Sequence, residues 1–470
     1  MRGLAILAFT VLLSGCTVGP NYVKPKVEVP AAFSYQGKET EETANTVWWK
    51  QFQDPVLDAL ISEALANNKN IKIAVANIER ASGVLIQTRS PLFPQVGYGG
   101  SAARRSSEFE AVSVPSTVSN PQTFYQTLAS ASWEIDLWGR IRRLSESAQA
   151  EVFATEEEWH GVILSLVASV ASDYIQLLGL DEQLLVSKRT LETYAKALKL
   201  FELRFQHGQV SQMTLEQARS QYETAAASIP QIESQIVQTE NALSILLGRN
   251  PGPVRRDKTI YQINLPPVPA GLPSDVLANR PDIRQAEQNL IAANAQIGAA
   301  RALYFPTISL TGAYGFVSSD LSDLFKGSSR AWSYAGSLTG PIFTGGAVSS
   351  QVKQAVAARK AALFNYELTI QSAFADVENA LISRSKLLEQ IQAQKRLVRA
   401  NSEYVRLARL QYNGGYVPYS TVLQAEQQLF PSELNYAQYR ATLFISLVNL
   451  YKAMGGGWRQ VAPEEKTVSP

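Results

Sequence analysis

Residues 307–316 read Thr-Ile-Ser-Leu-Thr-Gly-Ala-Tyr-Gly-Phe, and their pattern gives the first indication of the fold. Apolar and small polar residues alternate along it, so a β-strand places them on opposite faces. The same alternation continues in a returning strand before Ile342. Strands of ~10 residues with one apolar face are typical of membrane β-barrels, and equally of soluble sheets with one wet face. The apolar positions are Ile308, Leu310, Tyr314 and Phe316 going out, and Trp332, Tyr334, Leu338 and Ile342 coming back.

A second stretch of this texture spans residues 95–135, so the chain is predicted to contain two hairpins, 95–135 and 307–342. Four strands are too few for a membrane barrel, which needs about eight. Two chains would supply eight strands and three would supply twelve, and only the larger barrel leaves a useful lumen. The connections 105–121 and 319–329 are predicted to be the outer loops. Aromatic residues near the strand ends favour a membrane interface: Tyr98, Phe124, Tyr125, Trp133 and Trp332.

The two hairpins belong to an internal duplication. Phe93-Pro94 recurs as Phe305-Pro306 at an offset of 212, and after the hairpins the offset becomes 207. Turn residues recur in order at the second offset, as a true repeat requires: Gly139 with Gly346, Gly208 with Gly415, Val210 with Val417, Thr214 with Thr421, and Gly248 with Gly455. The change of five residues indicates a longer connection in the first hairpin.

Each repeat is predicted to continue from its hairpin into a very long helix, a turn and a second helix. Residues 140–206 contain no proline, and one helix of that length would measure about 100 Å. Its apolar positions alternate spacings of three and four, which is typical of a coiled-coil seam that packs on neighbouring helices. The seam residues are Leu191, Tyr194, Leu198, Phe201 and Phe205 in the first repeat, and Ile391, Val398, Val405 and Tyr412 in the second. Pro230 and Pro431 are expected to kink the returning helices.

The beginning of the chain predicts export and a lipid anchor. A basic residue, a short apolar run and Leu13-Ser14-Gly15 precede Cys16, the one cysteine of the chain, as in a secretory signal peptide. The pattern resembles a bacterial lipobox, and Thr17 in place of aspartate favours the outer membrane. The chain therefore divides into a signal peptide (1–15), a lipid-anchored extended segment (16–47), a first repeat (48–260), a second repeat (261–458) and a tail (459–470).

Composition limits the remaining options. The net charge of +2 gives no basic field for nucleic acid. The most apolar later stretch, 162–180, is interrupted by serines and by Asp173, so a membrane crossing is expected to use strands. His160 follows three glutamates without the paired-histidine spacing of a zinc site, and we expect it on a solvated helix face. Neither a catalytic site nor a metal site is predicted.

Several motifs resemble the outer-membrane factors of resistance-nodulation-division efflux pumps. They occur in the family's order across nearly the whole mature chain: residues 48–57, 133–140, 279–284, 341–346 and 455–458. The chain resembles the lipid-anchored, OprM-like branch of the TolC-like family. The resemblance implies an α+β membrane protein, a homotrimer whose twelve-stranded β-barrel continues into a periplasmic twelve-helix α-barrel. It also implies a periplasmic membrane-fusion adaptor and an inner-membrane transporter as partners, contact with outer-membrane lipid, and no cofactor besides the covalent lipid on Cys16.

The resemblance also assigns roles to the turns between long helices. The tips would face the adaptor, at Gly208, Val210, Gly415 and Val417. Glycine there also suits a helix C-cap, and both interpretations stay open. Relatives line a closed periplasmic aperture with acidic residues, whereas this chain has Thr421 and Gln424 there and Thr214 after the first tip. We therefore expect a closed aperture held by Tyr412 and by threonine and glutamine hydrogen bonds, with weaker cation binding than in the acidic relatives.

The expected function is a passive exit duct for small molecules in a tripartite efflux pump. A duct for type I protein secretion is one alternative, because the sequence of a duct does not indicate the size of its substrate. A non-conducting coiled-coil lipoprotein is another, although it would not need alternating hairpins. Heavy-metal export is disfavoured, because three methionines provide no soft-metal relay.

Overall fold

A computed structural model describes residues 17–27, 29–30, 33, 47–106, 121–266, 273–456 and 458. The predicted signal peptide, Cys16, most of the first outer loop and the tail 459–470 lie outside the described residues. The helices are α1 (Pro55–Asn67), α2 (Lys69–Arg89), α3 (Arg140–Gln206), α4 (Gln212–Leu246), α5 (Pro273–Asn279), α6 (Pro281–Ala302), α7 (Ala347–Asn413) and α8 (Tyr419–Ala453). The strands are β1 (Gln95–Arg105), β2 (Gln122–Ile135), β3 (Thr307–Ser318) and β4 (Arg330–Thr339).

The helix bounds reproduce the duplication. The long helices α3 and α7 each contain 67 residues, and the returning helices α4 and α8 each contain 35. A shift of 207 residues carries both ends of α3 onto α7 and both ends of α4 onto α8. Pro230 and Pro431 lie inside α4 and α8.

The four strands form one antiparallel sheet in the order β1-β2-β3-β4. Ile308 lies opposite Ile135 on one side and Leu338 on the other, so the predicted apolar residues share a face. The prediction for Ile342 was wrong. β4 ends at Thr339, since Gly340-Pro341 follows and proline cannot donate to a ladder.

The described chain forms two compact units, and each repeat contributes to both. Of the described residues, those within 17–26, 77–155 and 285–367 form the first unit, which includes all four strands. Those within 27–76, 156–284 and 368–458 form the second, which includes the turns after α3 and α7. The two units therefore do not correspond to the two repeats, because each long helix begins in the first unit and ends in the second.

The second unit has an aromatic core. Trp48 is fully buried and stacks on Tyr451 at a ring separation of 5.1 Å. Asp54 caps α1, since one carboxylate oxygen accepts the Val56 amide at 2.9 Å. The other accepts the hydroxyl of buried Tyr174 at 2.8 Å. One aspartate thus fixes both the start of α1 and its contact with α3.

Among the described helices, only α3 is long and apolar enough to cross a membrane by length and composition. Its most apolar window is 56% buried inside the structure. Residues such as Val170, Ala171 and Leu177 are fully buried in the second unit, so packing accounts for the apolar character of this window.

Candidate functional site: the sheet face, the N-terminal segment and the helix tips

One face of the sheet is apolar and exposed. Tyr98 is 96% exposed, Tyr334 81% and Trp332 67%, and all three lie on the face that carries Ile308. Soluble proteins rarely expose so large a contiguous apolar surface, whereas a lipid-facing sheet requires one.

The opposite face of the sheet is polar and small. The Ser309 and Ser337 hydroxyls are hydrogen bonded across β3 and β4 at 2.6 Å. Gly315 is packed so closely that an added Cβ would lie 2.0 Å from the Thr127 carbonyl oxygen. This face therefore suits a water-filled interior rather than a second apolar layer.

Residues 17–24, which we call the N-terminal strap, lie along the first unit. The Val18 amide donates to the Trp138 carbonyl at 3.1 Å. Arg143, only 4% exposed, donates to the Val18 carbonyl and, at 2.7 Å, to the Asn21 side chain. Buried Asn294 donates to the Pro20 carbonyl at 2.9 Å. The strap thus fixes the residue that follows Cys16 beside the end of β2.

The strap also needs a glycine in α6. An added Cβ at Gly298 would lie 2.6 Å from the Val18 carbonyl oxygen, and one at Gly19 would lie 2.4 Å from the Gly298 Cα. Two backbones can approach this closely only where both residues lack a side chain.

The two helix tips have the same backbone geometry. Gly208 and Gly415 have φ angles of 70° and 77°, in the left-handed region that glycine adopts without strain. Gln209 donates to the Arg204 carbonyl at 2.8 Å, and Tyr416 donates to the Gln411 carbonyl at 2.9 Å. These bonds cap the C-termini of α3 and α7. The half-buried Val210 and Val417 follow the glycines.

Tyr412 lies beside the tips, half-buried between α3 and α8. Its hydroxyl accepts a hydrogen bond from Arg204 at 2.6 Å, and the same guanidinium lies 5.9 Å from its ring centroid. Tyr412 also packs against Tyr419, with ring centroids 5.3 Å apart. The structure therefore joins Tyr412 to an arginine that the sequence reasoning missed. A basic residue in the last turn of α3 was the available signal.

Among the described residues, the other predicted aperture residues make no hydrogen bond to Tyr412. Gln424 is exposed and Thr421 is half-buried, both in the first turns of α8. Thr214 is also half-buried, and its hydroxyl lies 3.0 Å from the Ser211 hydroxyl. The acid nearest in sequence to Gln424 is Glu426, which Arg409 binds at 2.6 Å. Burial raises the pKa of the Glu426 carboxyl, and the paired arginine opposes that rise.

The prediction for His160 was wrong. It is only 5% exposed, its Nδ1 lies 3.2 Å from Glu157, and its ring packs 4.1 Å from Trp458. Glu157 also binds Arg284 at 2.6 Å. The run of glutamates before His160 suggested a helix face exposed to solvent. Trp458, which covers the histidine ring, lies almost 300 residues later in the sequence, so this contact could not be read from the local pattern. Within the described ranges, no group of three or more His, Cys, Asp or Glu side chains could hold a metal ion.

Comparison with known proteins agrees with this arrangement. The family model of outer membrane efflux proteins matches residues 60–249 and 272–456. The toluene efflux pump outer membrane protein TtgC of Pseudomonas putida is 35% identical over 97% of this chain and 96% of its own length. The cation efflux system protein CusC of Escherichia coli is also 35% identical, over 98% of this chain and all of CusC.

The fold agrees as well. The open state of the Neisseria gonorrhoeae MtrE outer membrane channel superimposes with a TM-score of 0.84 at 33% identity, covering 94% of this chain and 99% of MtrE. A sheet with one lipid-facing side and long paired helices ending in capped turns is thus the architecture of outer-membrane efflux channels. The chain belongs to the outer membrane efflux protein family and is an outer-membrane channel component of an efflux system.

Proposed function

We propose that three copies of this chain form a passive duct that carries small toxic compounds out of the cell. The observation that carries this proposal is the open sheet: β1 and β4 each pair with one neighbour among the described strands. Unpaired strand edges are not stable in lipid. Three sheets joined edge to edge would give a closed barrel of about twelve strands with a lumen.

The partners in this proposal are a periplasmic adaptor and an inner-membrane transporter. The relatives TtgC and CusC are named as parts of efflux systems, and a duct without its own energy source needs a driven partner. Gly208, Val210, Gly415 and Val417 would contact the adaptor, because the exposed glycines leave backbone open to a partner at both tips.

The proposed duct has no catalytic role and no cofactor besides a lipid. Cys16 would carry the lipid, and the strap supports this, since it holds Thr17 against Gly139, where an added Cβ would lie 2.7 Å from the threonine side chain. The acyl chains would then enter the membrane beside the strands. Mass spectrometry of the mature N-terminal peptide tests the modification.

The closed aperture would lie at Tyr412, Thr214, Thr421 and Gln424. Arg204 supports this placement, because its hydrogen bond ties Tyr412 of α7 to the end of α3, while the Tyr412 ring packs on Tyr419 of α8. Opening would separate the tip helices, so disulfide cross-links across the tips should abolish export.

Planar-bilayer recording tests the duct itself. Purified protein should form channels, and its oligomer should contain three chains by light scattering. A protein that stays monomeric in detergent and gives no conductance would refute the proposal.

A further inference from the structure

The two repeats contact each other along α3 and α8 in the second unit. Gln183 donates to Gln438 at 3.0 Å, and Arg189 binds Glu433 at 2.8 Å. Further along, the Tyr194 hydroxyl donates to the Glu426 carbonyl at 3.3 Å. Residue numbers rise along α3 as they fall along α8, so the two helices pack antiparallel.

The duplication predicts a second interface of the same kind. A shift of 207 residues takes α3 to α7, and the reverse shift takes α8 to α4. If repeats alternate around a closed ring, α7 of one chain meets α4 of the next, as α3 meets α8 within a chain. Ring closure by one repeated contact is the usual rule for cyclic oligomers. This step rests on the proposed homotrimer.

Charges at the equivalent positions fit that interface. The shift takes Arg189 to Arg396, so the arginine is retained, and takes Glu433 to Ala226, so its acid is lost. One helical turn away, however, Glu223 stands where the second repeat has buried Phe430. Residues three apart on a helix share a face, so Glu223 lies within reach of an arginine aligned with Ala226.

Both side chains are exposed, and neither has a hydrogen bond or ion pair with another described residue. Arg396 has no acid one turn away on its own helix, because Gln392, Ala393, Arg399 and Ala400 occupy those positions. Glu223 has Arg219 four residues before it, but that guanidinium is already bound to Glu216 at 3.0 Å and to Glu202 at 3.7 Å. Arg396 on α7 and Glu223 on α4 are thus both without an ion-pair partner among the described residues, on the two surfaces that the duplication predicts to be in contact.

We propose that Arg396 of one subunit forms an ion pair with Glu223 of the neighbouring subunit at each interface of the trimer. The pair replaces the Arg189–Glu433 pair that joins the repeats within one chain. It fixes the register between α7 of one subunit and α4 of the next, at a distance from the tips.

Cysteine cross-linking tests the geometry, because Cys16 is the only cysteine of the chain. A direct disulfide needs Cα atoms within about 7 Å, whereas an arginine and a glutamate can pair across a longer gap, so a flexible bis-maleimide that spans such a pair is used. Arg396→Cys combined with Glu223→Cys should then give covalent dimers and trimers on a denaturing gel. The matched control, Arg189→Cys with Glu433→Cys, should be cross-linked within one chain and run as a monomer. Cross-linking in the control alone would overturn the proposed pair. A wild-type protein that is monomeric in detergent before cross-linking would instead refute the trimer itself.

Charge reversal tests the electrostatics. Arg396→Glu and Glu223→Arg should each lower the temperature at which the oligomer dissociates, and the double variant should recover most of the loss. An exposed ion pair of this kind changes the association constant by about twofold to fivefold per interface. Glu192→Arg, which reverses the charge at an exposed pair with Lys196, controls for net charge. A double variant less stable than either single variant would contradict the pairing.

Discussion

Single residues determine the unusual features of this chain, and Asp173 is the clearest case. It interrupts the most apolar part of α3, and burial raises the pKa of its carboxyl from 3.8 to about 6. Burial disfavours the charged form of a carboxylic acid. The aspartate therefore opposes folding once it ionises.

We expect Asp173→Asn to stabilise the protein at neutral pH by about 1 kcal/mol, a figure reduced for partial exposure. Because the folded-state pKa is raised, the stability linked to the Asp173 proton is complete below about pH 4 and is lost as the pH rises to about 6. Thermal unfolding of detergent-solubilised protein between these values measures the effect. Glu158→Gln, which removes an exposed carboxylate from the same helix, is the matched control for the change of charge.

Gly298 provides a second test at the scale of one residue. Gly298→Ala places a methyl group 2.6 Å from the Val18 carbonyl oxygen, so the strap should detach although alanine favours the helix. Hydrogen exchange of the peptide 17–26 should become faster by about tenfold or more. The control is Gly83→Ala in α2, where an added Cβ meets nothing within 4 Å. Equal exchange in both variants would argue against a docked strap.

Elements were predictable from the sequence where their pattern was local. The alternation in β3 and the proline-free run of α3 each lie within one segment, so they predicted the strand and the long helix. Residues that depend on distant partners were missed: His160 is covered by Trp458, and Arg204 binds Tyr412, far along the chain in each case. The sequence also placed Ile342 in a strand, because its apolar character outweighed the preceding proline. The turns at Gly208 and Gly415 were predicted correctly, because a left-handed φ favours glycine and a glycine is visible in the sequence.

The two faces of the sheet give a test at the scale of the element. Trp332→Asp removes an aromatic side chain from the apolar face and puts a charge there, which costs about 1 kcal/mol or less for a carboxylate near the membrane interface. Ser333→Asp puts the same charge on the adjacent, polar face. We expect only the first variant to reduce the amount of folded oligomer recovered from the outer membrane. Equal recovery would mean that the apolar face does not contact lipid.

At the scale of the whole molecule, the proposed aperture should bind cations only weakly. Thr421 and Gln424 are neutral, so a trimer would have no ring of carboxylates there. The double variant Thr421→Asp/Gln424→Asp should introduce block by millimolar Mg²⁺ in single-channel recordings, because paired carboxylates attract divalent ions. Asn435→Asp, exposed further along α8, should not. Strong divalent block of the unmodified channel would show that the neutral aperture lies elsewhere.

The equal lengths of α3 and α7, 67 residues each, restrict how this protein can be edited. An insertion in one of them alone would advance its turn by about 1.5 Å per residue and rotate it by about 100°, so the two helix tips would no longer match. Longer or shorter variants should therefore be built by changing α3 and α7 together with the returning helices α4 and α8, in steps of seven residues that preserve the seam. A variant designed to fit a different adaptor at its tips should use such matched length changes.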